Sequence, residues 1–309
     1  MKILVTGGAG FIGSHVAEAF VREGHDVVIV DDLSSGREEN VPAGAKLHVL
    51  DVRSGLIEDL MAKERPEVLC HHAAQMDVRR SVADPLFDAG VNIIGLLNLL
   101  EAGRKHGLQR VLFASTGGAI YGEQEVFPCP ETHPTAPVSP YGVAKLASEK
   151  YLHFYHTEYG IRWVALRYAN VYGPRQNPHG EAGAVAIFTE KLLRGEQPVI
   201  NGDGKQTRDY VFVGDLVRAN LLALNTDYCG PLNLGTGRET DVNTLFHLLC
   251  HACGVDMPER HGPAKPGEQR RSSIDSSLAK RVLGWEPAVE LERGLALTVE
   301  YFRQRRPAG

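Results

Sequence analysis

With 309 residues the chain can bury a large core in one domain or in two closely joined ones, and its 43% hydrophobic and 23% charged content excludes a disordered or low-complexity protein. A formal charge of -5 with no long lysine or arginine run offers no field for a nucleic-acid backbone, so small-molecule ligands are expected instead. No apolar stretch approaches the roughly 20 residues that span a bilayer, and "MKILVTGG" enters a strand too early for a signal peptide, so no membrane association and a cytoplasmic location are expected.

From the N-terminus, short β-rich runs alternate with helical patterns. Strands are expected at "KILVTG" (2 to 7), "DVVIVD" (26 to 31), "AKLHVL" (45 to 50), "EVLCHHA" (67 to 73), "RVLFAS" (110 to 115) and "RWVALRY" (162 to 168), with helices near 11 to 23, 55 to 64, 85 to 106 and 139 to 159. Alternation of this kind implies an α/β fold, a doubly wound parallel sheet of Rossmann type covered on both faces. After "NVYGPRQNPHGEAG" (170 to 183) the rhythm fades into helices near 184 to 194, 215 to 225, 241 to 253 and 291 to 305, with short strands at 198 to 200 and 209 to 213. A first domain over 1 to 173 and a smaller α/β lobe over 174 to 309 are expected, with parts of about 212 to 237 able to return to the first. The apolar positions Ile93, Leu96, Leu97 and Leu100 mark a core face or a subunit seam. Five cysteines without a framework pattern fit reduced thiols, and "CHAC" at 250 to 253 reads as a buried helix face and not as a metal site, because no second cysteine pair exists.

"LVTGGAGFIGSHV" joins a strand to a helix through Gly7, Gly10 and Gly13. Each glycine has a mechanical role: Gly7 makes the turn, Gly10 lets backbone approach a pyrophosphate, and Gly13 lets helix pack on strand, while the helix N-terminus faces the phosphates. Asp31 closes the second strand 18 residues after Gly13, where a carboxylate accepts from an adenosine ribose and repels a 2'-phosphate; NAD is therefore favoured over NADP. Two hydroxyls, Ser115 and Thr116, end the fifth strand at the edge where such folds bind ligands. In "SPYGVAKLASEKY" (139 to 151), Tyr141 and Lys145 lie one helical turn apart on one face. An ammonium there is expected to lower the phenol from its ordinary value of about 10 and make it a base, so that hydroxyl, phenol and ammonium together prepare an alcohol for oxidation.

These motifs run in order along nearly the whole chain: "TGGAGFIG", "DD" at 31 to 32, "LDVR", "HHAAQMDVRRS", "STGGAIYG", "YGVAK", "RYANVYGPRQ", "GDGKQTRDYVFVGD", "NLGTG" and "KPGEQRRSSID". In them the chain resembles the extended short-chain dehydrogenases/reductases, specifically the NAD-dependent nucleotide-sugar epimerases. The resemblance implies a homodimer, NAD as cofactor and a UDP-sugar as substrate, whose C4 configuration is inverted through a 4-keto intermediate. It places Phe11 and Ile12 with the three glycines against the cofactor, Asp31 and Asp32 at its ribose, Asp51 and Val52 at adenine, and Ala73, Ala74 and Asn92 alongside. Asn170 would contact the nucleotide-sugar and Arg208 its diphosphate. Lys265 stands where relatives commonly carry arginine, and Ser272 falls near a gate position where a small residue admits N-acetylated sugars. Thr116 is the first candidate for the catalytic hydroxyl and Ser115 the second. Gly117 and Gly118 replace the acidic pair of related dehydratases, which disfavours water elimination. A uronate epimerase, decarboxylase or keto-sugar reductase shares most of these motifs; a non-catalytic NAD sensor would need neither Tyr141 nor Lys145.

Overall fold

The structure is a computed structural model, which describes residues 1–178, 183–264 and 269–305. In chain order its first half carries β1 (Lys2–Thr6), α1 (Phe11–Arg22), β2 (Asp26–Asp31), β3 (Lys46–Val49), α2 (Leu56–Glu64), β4 (Val68–His71), α3 (Val78–Ala83), α4 (Pro85–Ala89), α5 (Gly95–Lys105), β5 (Arg110–Thr116), α6 (Pro140–Tyr159) and β6 (Arg162–Tyr168). The second half carries β7 (Asn170–Tyr172), α7 (Ala184–Leu193), β8 (Ile200–Asn201), β9 (Thr207–Arg208), β10 (Tyr210–Phe212), α8 (Val213–Ala223), β11 (Gly230–Leu234), β12 (Thr240–Asp241), α9 (Val242–Cys253), β13 (His261–Gly262), α10 (Ser277–Leu283) and α11 (Leu291–Gln304).

Seven strands form one sheet in the order β11-β6-β5-β4-β1-β2-β3, and every neighbouring pair is parallel. Strands such as "KILVT" are apolar on both faces because each face is covered by helices. On one side Val16 and Phe20 of α1 meet Leu216 and Ala219 of α8 together with Trp285; on the other, Ile57 of α2, Leu99 of α5 and Leu152 of α6 cover the sheet. Truncating a side chain as buried as Leu99 to alanine would cost about 2–5 kcal/mol. Strand order reverses between β1 and β4, so the carboxyl ends of these strands open a crevice at the switch point where doubly wound sheets bind ligands. α7, α9 and α11 pack around Phe188, Leu245, Phe246 and Leu295 to form a smaller core beside that crevice. The edge strand β11 joins the main sheet by pairing with β6, although it lies late in the sequence.

One expectation is corrected. α4, a π turn over Gly90–Ile94 and α5 form a continuous helical run, Pro85–Lys105, of 21 residues, long and apolar enough by length and composition to cross a membrane. Its inward side is packed in the protein: Leu96, Leu99 and Leu100 are fully buried, and Asp88 and Asn92 are buried and hydrogen-bonded to Gln75 and to each other. A core helix built this way explains its apolar composition.

Candidate active site

The turn between β1 and α1 is held by backbone. Gly7, with φ of +69°, donates its N–H to Val30 O at 2.8 Å, and Gly10 N donates to Gly7 O at 3.1 Å. A Cβ at Gly13 would overlap the Gly7 carbonyl, and one at Gly7 would stand 2.6 Å from Ala73 N, so the strand, turn and β4 loop come together only without side chains there. α1 begins with no acidic residue in its own first turn, which suits a helix N-terminus that meets an anionic ligand. Phe11 and Ile12 line the same wall.

At the end of β2 Asp31 is buried, its Oδ2 accepting from Ala9 N and its Oδ1 from Leu33 N, both at 2.9 Å. Burial raises its carboxyl above the ordinary range, and the two backbone donors pull it back. Asp32, Asp51, Val52, Ala73 and Ala74 line the crevice with it. Asp51 is fixed by Arg53, whose Nε donates to Oδ1 at 3.0 Å, and this contact holds the Asp51 carboxyl below its ordinary value. Asn92 lies one layer deeper than its expected place beside a cofactor: the π turn points it inward, its Nδ2 donates to Gln75 O at 2.9 Å and its Oδ1 accepts from Gln75 N at 3.0 Å. It therefore supports the crevice floor through Gln75.

α6 starts where Ser139 Oγ accepts from Gly142 N and Pro140 occupies the first turn, and it ends at Gly160 in the left-handed region. Tyr141 in its first turn and Lys145 one turn later both face the crevice, beside Ser115 and Thr116 at the end of β5. Lys145 Nζ donates to Ala114 O at 2.8 Å, lies 4.7 Å from the Phe113 ring centre and 5.8 Å from that of Tyr141. Burial pushes this ammonium down to about 8, with Asp88 and Glu149 opposing the shift. The expected lowering of the Tyr141 phenol is not what the protein alone produces: burial, and then the Asp88 carboxylate, push it above its ordinary value, because desolvation of the phenolate outweighs an ammonium directed at a backbone carbonyl. His71 and His72 beneath are also held neutral by burial and by Lys145, His72 pushed down to about 3. Ser115 Oγ donates to Glu149 Oε1 at 2.7 Å and so is engaged away from any ligand.

The crevice continues into the smaller lobe as one cavity of about 1530 Å³ reaching Asn170, Phe188 and Arg208. Pockets for a single drug-sized ligand measure about 300–1,000 Å³, so there is room for a dinucleotide and a second molecule. Arg208 is braced by Thr207 O at 2.7 Å and Gln269 O at 2.8 Å. Ser272 is buried and lies outside the lining of this cavity; Lys265 is outside the described residues. Cys250 and Cys253 are free thiols within the core of the lobe. Sequence reasoning assigned no role to Gln75, Tyr168 or Arg175, which line the cavity. Arg175 sits in the "YGPRQ" run with φ of +67°, a signal visible only in the backbone.

A parallel sheet with a glycine turn at its switch point, an acid closing β2 and a Tyr–Lys helix face beside strand-end hydroxyls defines a dinucleotide-binding protein of the short-chain dehydrogenase/reductase type. The chain belongs, within that class, to the NAD dependent epimerase/dehydratase family, whose model matches residues 3–235. It is 46% identical to a UDP-glucose 4-epimerase of Mycolicibacterium smegmatis over 99% of both chains. Among solved structures it is similar to the UDP-glucose 4-epimerase of Thermotoga maritima with UDP-glucose, at 53% identity and a TM-score of 0.97 over 98% of this chain and 99% of that one. The Thermus thermophilus UDP-glucose 4-epimerase complexed with NAD matches at 44% identity and a TM-score of 0.93 over 99% of this chain and 100% of that one.

Proposed function

We propose that this chain is an NAD-dependent 4-epimerase that interconverts UDP-glucose and UDP-galactose through a 4-keto intermediate. The observation that carries the reading is the presentation of Tyr141, Lys145 and Thr116 into a single cavity that runs from Asp31 at one end to Arg208 at the other. The glycine cradle and the buried Asp31 carboxylate fit NAD, which Phe11, Ile12, Asp32, Asp51, Val52, Ala73 and Ala74 would help to hold. When bound, NAD supplies a cationic ring beside the phenol and a reversible acceptor for the hydrogen on the sugar's C4.

Thr116 Oγ1 holds the sugar's 4-hydroxyl while Tyr141 Oη takes its proton, and the same phenol returns that proton when the ketone is reduced. The cationic ring offsets the burial that raises the phenol. Lys145, pushed down to about 8, keeps its proton at neutral pH and maintains positive charge beside Tyr141. The Arg208 guanidinium binds the diphosphate, and Asn170 contacts the nucleotide-sugar. A firmly held nucleotide with a loosely held hexose lets the ketone present either face, so binding energy is used at the end that does not react.

Two copies pair in this reading through α4, α5 and α6, whose outward apolar side chains include Leu86 at 85%, Val143 at 51% and Phe154 at 48% exposure. A Val143→Glu/Phe154→Glu variant is expected to run as a monomer in light scattering; a wild-type monomer would overturn the pairing. Five free cysteine thiols support a cytoplasmic location. The activity is tested by proton NMR of the protein with NAD and UDP-galactose. Conversion to UDP-glucose without accumulation of NADH is expected, and no conversion with NAD binding intact would favour another nucleotide-sugar reaction on this fold.

A further inference from the structure

Glu149 lies one turn beyond Lys145 on α6, as Lys145 lies one turn beyond Tyr141, and it and Arg167 are both 4% exposed. Arg167 on β6 approaches its carboxylate with two nitrogens, Nε to Oε1 at 2.9 Å and Nη2 to Oε2 at 2.6 Å, and Ser115 Oγ donates to the same Oε1 at 2.7 Å. The third arginine nitrogen donates to Tyr121 Oη at 2.8 Å, and Tyr121 Oη donates to Asn233 Oδ1 on β11 at 2.7 Å. One buried network thus joins α6 to β5, β6 and β11.

Such a pair is weak as a device for stability alone, since each buried ion loses several kcal/mol of hydration and an apolar pair of equal volume often serves as well. Its position suggests another use. α6 grips consecutive residues of β5, with Lys145 Nζ on Ala114 O and Glu149 on Ser115 Oγ. The next residue is Thr116, which lines the cavity with Tyr141. Resting on the epimerase reading above, we propose that Glu149 and Arg167 are positioning residues that clamp the end of β5 against α6 and hold the Thr116 hydroxyl and the Tyr141 phenol at the separation proton transfer needs. Ser115 belongs to this clamp and not to the groups that touch the sugar. A hydroxyl displaced by about 1 Å loses on the order of 100-fold in rate, whereas substrate affinity depends on contacts elsewhere.

The test is a coupling experiment with UDP-galactose as substrate. It compares wild type, Ser115→Ala, Glu149→Gln/Arg167→Met and the triple variant, with calorimetric NAD affinity and urea midpoints measured on each. The double substitution removes both charges, so neither is left buried without its partner. We expect it to lower kcat by about 100-fold while KM and NAD affinity stay within about three-fold. Ser115→Ala alone should lower kcat by about ten-fold and have no further effect in the double background, the signature of residues acting as one unit. If the double variant does not fold, Arg167→Lys, which keeps a cation but loses the two-pronged contact, should give the same loss of kcat at constant KM. An active wild type whose kcat survives either change, or a Ser115→Ala loss equal in both backgrounds, overturns the clamp alone. A wild type inert toward UDP-galactose overturns the epimerase reading and the clamp with it.

Discussion

Replacing Lys145 by methionine separates what this residue does for chemistry from what it costs the fold. Burial has pushed its ammonium from 10.5 down to about 8, which at about 1.4 kcal/mol per unit is a penalty of about 3 kcal/mol. The folded value lies below the unfolded one, so between about pH 8 and 10.5 the unfolded chain holds the extra proton. The Lys145 contribution to stability therefore rises with pH across that window, and its full penalty applies below it. Methionine fills similar space without charge, but it leaves the Ala114 carbonyl without its donor at 2.8 Å, a loss of about 1–3 kcal/mol. The contact with the Phe113 ring at 4.7 Å is weakened as well, a further loss of about 1 kcal/mol. These effects nearly cancel, so Lys145→Met at neutral pH should remain within about 2 kcal/mol of wild type in urea unfolding of the NAD-free protein. Its turnover, by contrast, should fall by about 100-fold or more. The stability of wild type relative to the variant should climb between pH 8 and 10.5. A variant that loses more than about 4 kcal/mol at neutral pH, or that keeps the wild-type pH slope, would refute the reasoning.

Tyr141→Phe should leave NAD binding and the unfolding midpoint nearly unchanged and lower kcat by about 10²–10⁴-fold in the NMR conversion assay. Gly13→Ala places a Cβ on the Gly7 carbonyl, so calorimetry should show NAD binding lost and the thermal midpoint lowered. Glu64, held down to about 2 by Lys46 and Lys2, contributes stability above its unfolded value of 4.5 that is lost as pH falls through about 2. Glu64→Gln should accordingly flatten the acid side of the stability curve, as followed by circular dichroism.

Much of the frame was legible because buried parallel strands are short, apolar and bounded by glycine. "DVVIVD" is β2 residue for residue, and "KILVTG" overruns β1 by one. α3 escaped notice: six residues are too few to show a helical period, and its start is set by the Asp77 side chain accepting from Arg80 N. The short α10 escaped as well. The place of β11 in the main sheet depends on pairing with β6 across a long stretch of chain, which no local pattern encodes. In the site, placements set by backbone geometry or helix spacing could be read directly: Gly7 and Gly13 at the turn, and Tyr141 and Lys145 on one helix face lining the cavity. Quantities set by burial could not. The Tyr141 phenol shifts upward, Asn92 turns inward at a π turn, and Ser272 is buried. Glu149 and Arg167 stood in plain view in "YGVAKLASE" and "RWVALRY", yet only the fold shows that they meet.

The most direct measurement uses UDP-galactose carrying deuterium at C4, incubated with the protein and NAD in ordinary water and followed by NMR and mass spectrometry. Transient oxidation within one closed site requires the same hydrogen to leave and return, so the UDP-glucose formed should retain deuterium at C4. Deuterium replaced by solvent hydrogen during epimerisation would mean that C4 is deprotonated instead, and would contradict the role assigned here to Tyr141, Lys145 and NAD.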